Sequence, residues 1–145
     1  MDNGGGKPGA NSALEELRSH LSTGNARPVL QEILTSLQKL IETGEETTID
    51  LGAIPFAAGD ERIFDDILDD GEVKAEIDAL GQSHIRETGI PGVWRIDHFD
   101  QNGETLSRFV EITFLPEILK TQRADAEEGL AQLTSRLEER DRAKH

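Results

Sequence analysis

The chain has 145 residues, of which 29 are Asp or Glu and 15 are Lys or Arg, so its formal net charge is −14. This length suits one domain with a single core, while the negative charge disfavours binding to nucleic-acid phosphates and to anionic membrane surfaces. The sequence contains no cysteine, which excludes disulfides, thiolate nucleophiles and cysteine-ligated zinc or iron–sulfur clusters.

The N-terminal residues have the composition of a disordered segment. Residues 1–12 contain four glycines and Pro8 with few apolar side chains, which predicts a disordered lead. They also lack the apolar core of a signal peptide, and no apolar run is long enough to span a bilayer, so we expect a cytoplasmic protein. The predicted domain covers residues 13–140 and includes a long C-terminal helix, and residues 141–145 form a tail.

Helical periodicity dominates the first third of the chain. Leucines at positions 14, 17 and 21 predict a short helix over Ala13–Leu21. A second apolar stripe runs from Val29 to Ile41, with Pro28 in its first turn and Gly44 as a left-handed cap. A third, shorter helix is predicted from Asp60 to Gly71. These patterns indicate helices that each bury one face.

The remaining central segments alternate apolar and polar residues, as strands do. The predicted strands are Thr47–Leu51, Glu72–Leu80, Ser83–Thr88, Val93–Phe99 and Thr105–Phe114. An Asn-Gly pair within Asp100–Gly103 predicts a hairpin between the last two. The order of elements predicts an α+β fold: an antiparallel sheet of about four to five strands with helices packed on one face and a long C-terminal helix.

The C-terminal helix is predicted from about Pro116 to Arg140 and has a heptad-like seam. The seam consists of Leu119, Gln122, Ala126, Leu130, Leu133 and Leu137. Two interpretations stay open. The helix folds back on the sheet, or it pairs with a client or with another subunit, and pairing with a second copy would make a homodimer through this helix.

Residues able to do chemistry are dispersed along the sequence. The histidines at 20, 84, 98 and 145 show no ligand-like spacing, and the aspartates at 65, 66, 69 and 70 fit a solvated helix face. Motifs for nucleotide binding and for a nucleophile elbow are absent. We therefore predict no catalytic, cofactor-binding or metal-binding residues. The alternative is a small enzyme that uses Glu87 or Asp97 with His84 or His98.

The most distinctive stretch is RETGIPGVWR at Arg86–Arg95, which contains the only Trp of the chain. Trp and Arg are enriched at energetically dominant positions of protein–protein interfaces. We predict a partner-binding surface formed by Arg86, Glu87, Pro91, Gly92, Trp94 and Arg95. A structural role is the open alternative, in which Trp94 belongs to the core and the loop is a simple turn.

Several segments carry a resemblance to a known family. They are Glu42–Leu51 (ETGEETTIDL), Gly71–Val73, Ile85–Thr88 with Pro91–Trp94, and Val110–Thr113 with Pro116–Leu119. From about Arg27 to Lys120 the chain resembles the C-terminal domain family of HupH/HyaF-type hydrogenase expression proteins. The resemblance covers about two thirds of the sequence and keeps the order of the motifs.

The resemblance implies a role in the maturation of uptake [NiFe] hydrogenases. The expected function is that of a non-catalytic assembly chaperone without a cofactor. Its expected partner is the immature small, iron–sulfur-carrying subunit or another maturation factor. The absence of cysteine agrees with this role, because the protein cannot pass on a cluster through thiolates of its own. A homodimeric scaffolding module with another client is a further alternative.

Overall fold

A computed structural model of the chain describes residues 11–17 and 20–144. Residues 1–10 of the predicted disordered lead lie outside the described residues. Residues 11–17 and 20 are helical, which agrees with most of the helix predicted over Ala13–Leu21, although Asn11 and Ser12 of the predicted disordered lead are helical and Leu21 is not. The leucines at 14, 17 and 21 are all more than half exposed. The chain divides into two compact units, Met1–Phe114 and Leu115–His145.

The first long helix, α1, spans Ala26–Thr43. It ends at Gly44, whose φ of 78° is left-handed and whose N–H donates to Leu40 O at 2.8 Å, which confirms the predicted cap. The predicted apolar stripe is only partly buried. Leu34 and Ile41 are 60% and 72% exposed.

The second helix, α2, spans Ala58–Leu68. It therefore begins two residues before the predicted start at Asp60 and ends three residues before Gly71. The chain leaves the helix at Asp69, whose φ is 58°. Phe64 and Leu68 are buried, whereas Ile63 and Ile67 on the neighbouring surface of the helix are 42% and 55% exposed.

Five antiparallel strands form one sheet in the order β1-β5-β4-β3-β2. The strands are β1 Thr47–Asp50, β2 Asp70–Ala79, β3 Gly81–Thr88, β4 Val93–Phe99 and β5 Thr105–Ile112. The predicted β4–β5 hairpin is present, and Asp100 N–H donates to Glu104 O at 2.8 Å across it. The α+β prediction is confirmed, because the helices accompany a sheet in which each pair of adjacent strands is antiparallel.

The main core lies between one face of the sheet and the helices α1 and α2. Its buried members are Val29, Ile33, Leu40, Ile49, Leu51, Phe64, Leu68, Val93, Val110 and Ile112. All but one of them are aliphatic. We call the sheet face that contributes to this core the helix face, because α1 and α2 cover it.

The C-terminal unit contains two helical pieces instead of the single predicted helix. A 3-10 turn at Glu117–Leu119 is followed by extended backbone at Lys120 and Gln122, and α3 then spans Arg123–Ala143. The break explains why α3 starts seven residues after Pro116. Within residues 11–17 and 20–144, no helix is both long and apolar enough to cross a bilayer.

Candidate protein-binding site

The β3–β4 loop, residues 89–92, is held from three directions. Gly89 N–H donates to Leu68 O at 2.8 Å, which ties the loop to the end of α2. Thr113 N–H donates to Gly92 O at 3.0 Å, which ties it to the end of β5. Gly92 N–H donates to the Glu87 carboxylate at 3.2 Å. These hydrogen bonds hold the loop in one conformation.

Hydrogen bonds inside the loop close the turn. Thr88 is buried. Its hydroxyl donates to Val93 O at 2.9 Å and accepts from Ile90 N–H at 3.2 Å. Val93 N–H donates to Ile90 O at 3.0 Å. The RETGIPGVW sequence therefore encodes a turn whose polar groups are satisfied locally.

Gly92 is the point at which the loop approaches α1. Its φ of 94° is left-handed, and a Cβ placed on it would lie 3.0 Å from Cδ1 of Leu37. The position favours glycine for both reasons, since the backbone conformation is strained for other residues and the space is already filled.

Two of the six predicted partner-binding residues are buried. Trp94 is 4% exposed, and its indole Nε1–H donates to Thr113 O at 3.1 Å. Arg95 is 7% exposed and its guanidinium lies 5.2 Å from the centre of the Phe64 ring. Neither side chain presents more than an edge to solvent. The interpretation of Trp94 as part of the packed interior fits this placement.

The remaining predicted residues lie on both faces of the sheet. Arg86 pairs in register with Arg95 and lies on the helix face, where its Nη1 is 3.6 Å from Asp70 Oδ1. Glu87 pairs with Trp94 on the opposite face. Arg86 and Glu87 are half-buried and Pro91 is exposed. Arg86 lies beside Asp70, just after α2, and Gly92 lies beside Leu37 of α1. Glu87 and Trp94 lie on the opposite face of the sheet from Arg86.

An ion-pair network connects α2 to the helix face and was missed by the sequence reasoning. Arg95 Nη1 lies 2.5 Å from Asp65 Oδ1. Arg108 donates to both oxygens of Glu61, at 2.6 and 3.0 Å. The hydrogen bonds to Glu61 raise the pKa of Arg108, although burial opposes this. The aspartates predicted for a solvated face are all exposed, and Asp65 also forms an ion pair with Arg95.

Asp60 connects the segment before α1 to the start of α2. The sequence predicted that a helix begins at Asp60, but it did not predict this contact. Its carboxylate accepts hydrogen bonds from Ser22 Oγ at 2.6 Å, Thr23 N at 2.8 Å and Ala57 N at 2.8 Å. Burial by itself raises the pKa of Asp60, but these hydrogen bonds outweigh it and hold the pKa well below its usual range. The Ser-Thr pair ahead of the helix was the only signal in the sequence.

The four groups considered for catalysis are divided between the two faces of the sheet, and two of them share a cavity. His84 and Asp97 pair in register on the helix face and line a cavity of about 280 Å³. His98 lies on the opposite face, where Nδ1 is 2.7 Å from Ser83 Oγ, and Glu87 shares that face. Across the described residues, no group of three or more His, Asp or Glu side chains has the geometry to hold a metal ion.

Comparison with known proteins gives a consistent family assignment. Residues 23–139 match the family described as "HupH hydrogenase expression protein, C-terminal conserved region". The solved structure of the hydrogenase expression protein HupH from Thiobacillus denitrificans is similar, with a TM-score of 0.77 and 41% identity, over 82% of this chain and 99% of that one.

Curated relatives are longer than this chain. The hydrogenase expression/formation protein HupQ of Azotobacter chroococcum is 29% identical over 111 residues, which are 75% of this chain and 39% of that protein. HupH of Rhodobacter capsulatus is 26% identical over 95 residues, or 66% of this chain and 34% of that protein. The chain thus spans about two fifths or less of the length of these relatives. Because the family region covers most of the chain and its fold agrees with that of a solved relative, the chain belongs to the HupH family of hydrogenase expression proteins.

Proposed function

We propose that the protein is a non-catalytic accessory factor that acts as an assembly chaperone and binds the immature small subunit of an uptake [NiFe] hydrogenase. The match of residues 23–139 to the hydrogenase expression family is the observation that carries this proposal. The names of the relatives place them in hydrogenase expression or formation, and the chain has no cysteine with which to handle a cluster itself. Of the four candidate catalytic groups, His84 and Asp97 share one face and one cavity, and Glu87 and His98 lie on the opposite face.

The β3–β4 loop is the part of the predicted site that we propose contacts the small subunit. Pro91 is exposed, whereas Arg86 and Glu87 are half-buried on opposite faces of the sheet. Trp94 and Arg95 would act indirectly, because they hold the ends of the loop from inside the fold. In this arrangement the loop is a rigid contact element, which limits the conformational entropy lost on binding.

Co-purification tests the function. The tagged chain and the hydrogenase small subunit are expressed together, and the complex is isolated by affinity capture and size-exclusion chromatography. We expect a stable complex with one copy of each chain, and purified components should rebind. If the small subunit does not associate with the wild-type chain in either experiment, the proposal is wrong.

A variant of the loop tests the contact. Pro91→Asp changes an exposed side chain and places a negative charge on the loop. We expect it to weaken small-subunit binding about tenfold, which is typical of a central contact. Leu80→Asp is the control, because Leu80 is 86% exposed in the β2–β3 turn. This turn lies at the opposite end of β3 from the β3–β4 loop.

A homodimeric scaffold is the second candidate function, and the exposed seam of α3 favours it. Leu130, Leu133 and Leu137 are 69%, 57% and 54% exposed and follow helical spacing of three and four. Light scattering tests this candidate. A monomer at tens of micromolar excludes it, whereas a dimer that Leu133→Asp dissociates supports it.

A further inference from the structure

The surface between α1 and α2 is a groove with apolar walls. The groove has a volume of about 240 Å³ and is lined by Arg27, Leu30, Gln31, Leu34, Ile63 and Ile67. Leu34, Ile63 and Ile67 are 60%, 42% and 55% exposed, so three large apolar side chains from two helices face solvent together. Adjacent exposed apolar residues of this kind mark surfaces that bind other molecules.

The two helices run side by side in the same direction, and the β3–β4 loop meets both at their C-terminal ends. At their N-terminal ends, Thr23 ahead of α1 bonds to Asp60 in the first turn of α2. At the other end, Gly89 bonds to the last residue of α2, and Gly92 packs beside Leu37 of α1. The groove therefore leads toward the β3–β4 loop, which contains the predicted partner-binding residues Pro91 and Gly92.

The wall formed by α2 is strongly acidic. Residues 58–70 contain six acidic residues and one basic residue, Arg62. Asp60 is buried, and Glu61 and Asp65 are paired with arginines of the sheet. Four carboxylates of this segment are nevertheless exposed, those of Asp65, Asp66, Asp69 and Asp70, and Asp70 also pairs with Arg86. Asp66 lies one turn after Ile63 and thus borders the groove.

We infer that the α1/α2 groove binds an amphipathic helix of the small subunit, with apolar side chains on Leu34, Ile63 and Ile67 and basic side chains beside Asp66. This inference rests on the proposed function, since it specifies where and how that partner binds. An apolar groove between helices suits the apolar face of a third helix. Arg27 is the one charged residue of the lining itself. The acidic border at Asp66 and the net charge of −14 favour a segment with basic side chains on that border over a second copy of this chain.

Substitutions in the groove test the apolar contact. Leu34→Asp and Ile67→Asp change exposed side chains, so we expect thermal denaturation curves close to that of the wild type. Each should weaken binding of the purified small subunit at least about tenfold. Leu80→Asp is again the control and should bind as the wild type does. If the wild type binds and both groove variants bind equally well, the groove inference fails while the proposed function stands; if the wild type does not bind, the proposed function fails.

A second pair of variants tests the charge. Asp66→Lys should weaken binding several-fold and reduce its dependence on salt, whereas Asp78→Lys changes the net charge equally at an exposed position on β2 and should have a smaller effect. Equal losses from both variants would show that only net charge matters and would contradict a local contact. A wild-type dimer in sedimentation experiments that Leu34→Asp dissociates would also overturn the inference, because the groove would then be occupied by a second copy.

Discussion

Asp60 illustrates how one buried carboxylate organises a junction of the fold. It is fully buried, yet all of its bonding partners are donors from Ser22, Thr23 and Ala57. An ionised carboxylate is stable in the interior only when several donors surround it, as they do here. The carboxylate thereby joins the segment before α1 to the first turn of α2.

This arrangement predicts a pH-dependent stability. Because hydrogen bonds lower the pKa of Asp60 in the folded protein, the unfolded chain takes up a proton first as the pH falls below the ordinary value near 3.8. The stabilisation from Asp60 is thus complete at neutral pH and is lost progressively below pH 4. We expect Asp60→Asn to lower the urea midpoint at pH 7 and to reduce the further loss between pH 4 and pH 2. The exposed residue Asp66 supplies the control, and a larger effect from Asp66→Asn would contradict this role.

Trp94 leads to a different expectation from the one its residue type suggests. A substitution of an interface tryptophan would remove binding without unfolding, but Trp94 is 4% exposed. We therefore expect Trp94→Ala to destabilise the protein by about 3–5 kcal/mol, as for other buried aromatic residues.

Trp94→Phe tests how much the hydrogen bond of the indole contributes to stability, apart from the packing of the ring. This variant retains most of the apolar volume but leaves Thr113 O without the indole donor, so we expect a loss of about 1–2 kcal/mol. Urea denaturation followed by circular dichroism measures both values. A Trp94→Ala variant as stable as the wild type would contradict the assignment of Trp94 to the packed interior.

At the scale of elements, the β3–β4 loop depends on its contact with α1. Gly92 and Gly103 both have left-handed backbones, with φ of 94° and 83°, but only Gly92 has a neighbour within contact distance. We expect Gly103→Ala to cost about 1 kcal/mol for the backbone alone and Gly92→Ala to cost about 1 kcal/mol more, because Leu37 must move. Equal costs in chemical denaturation would show that the loop does not press on α1.

Element bounds show what local patterns can and cannot reveal. The cap at Gly44 and the hairpin at Asp100–Gly103 were predictable, since both depend on residues close in sequence. The break at Lys120–Gln122 was not, because none of these residues is a glycine or a proline and the apolar spacing continues through it. The alternation of apolar and polar residues in β2 does not reveal that Val73 is 44% exposed, since β2 lies at the edge of the sheet.

For the whole molecule, the charge of −14 opposes the compact state while the ion pairs beneath α2 support it. Salt screens the dispersed surface repulsion strongly, whereas the Arg95–Asp65 and Arg108–Glu61 pairs are partly buried and are screened less. We therefore expect the thermal midpoint to rise as NaCl increases from about 0.01 M to about 0.3 M. A fall over this range, measured by scanning calorimetry, would mean that the ion pairs dominate.

The sequence alone determined the α+β class, the acidic character, the lack of thiol chemistry and the family resemblance, because these follow from composition, short-range periodicity and ordered motifs. Only the tertiary structure decided which apolar residues are covered. Leu34 and Ile67 match the helical stripes as well as Ile33 and Phe64 do, yet the first two are exposed and the last two are buried. The ion pair between Arg108 and Glu61, which are 47 positions apart in the sequence, was likewise not predictable from the sequence. Burial and ion pairing depend on which elements meet in space, and local patterns do not contain that information.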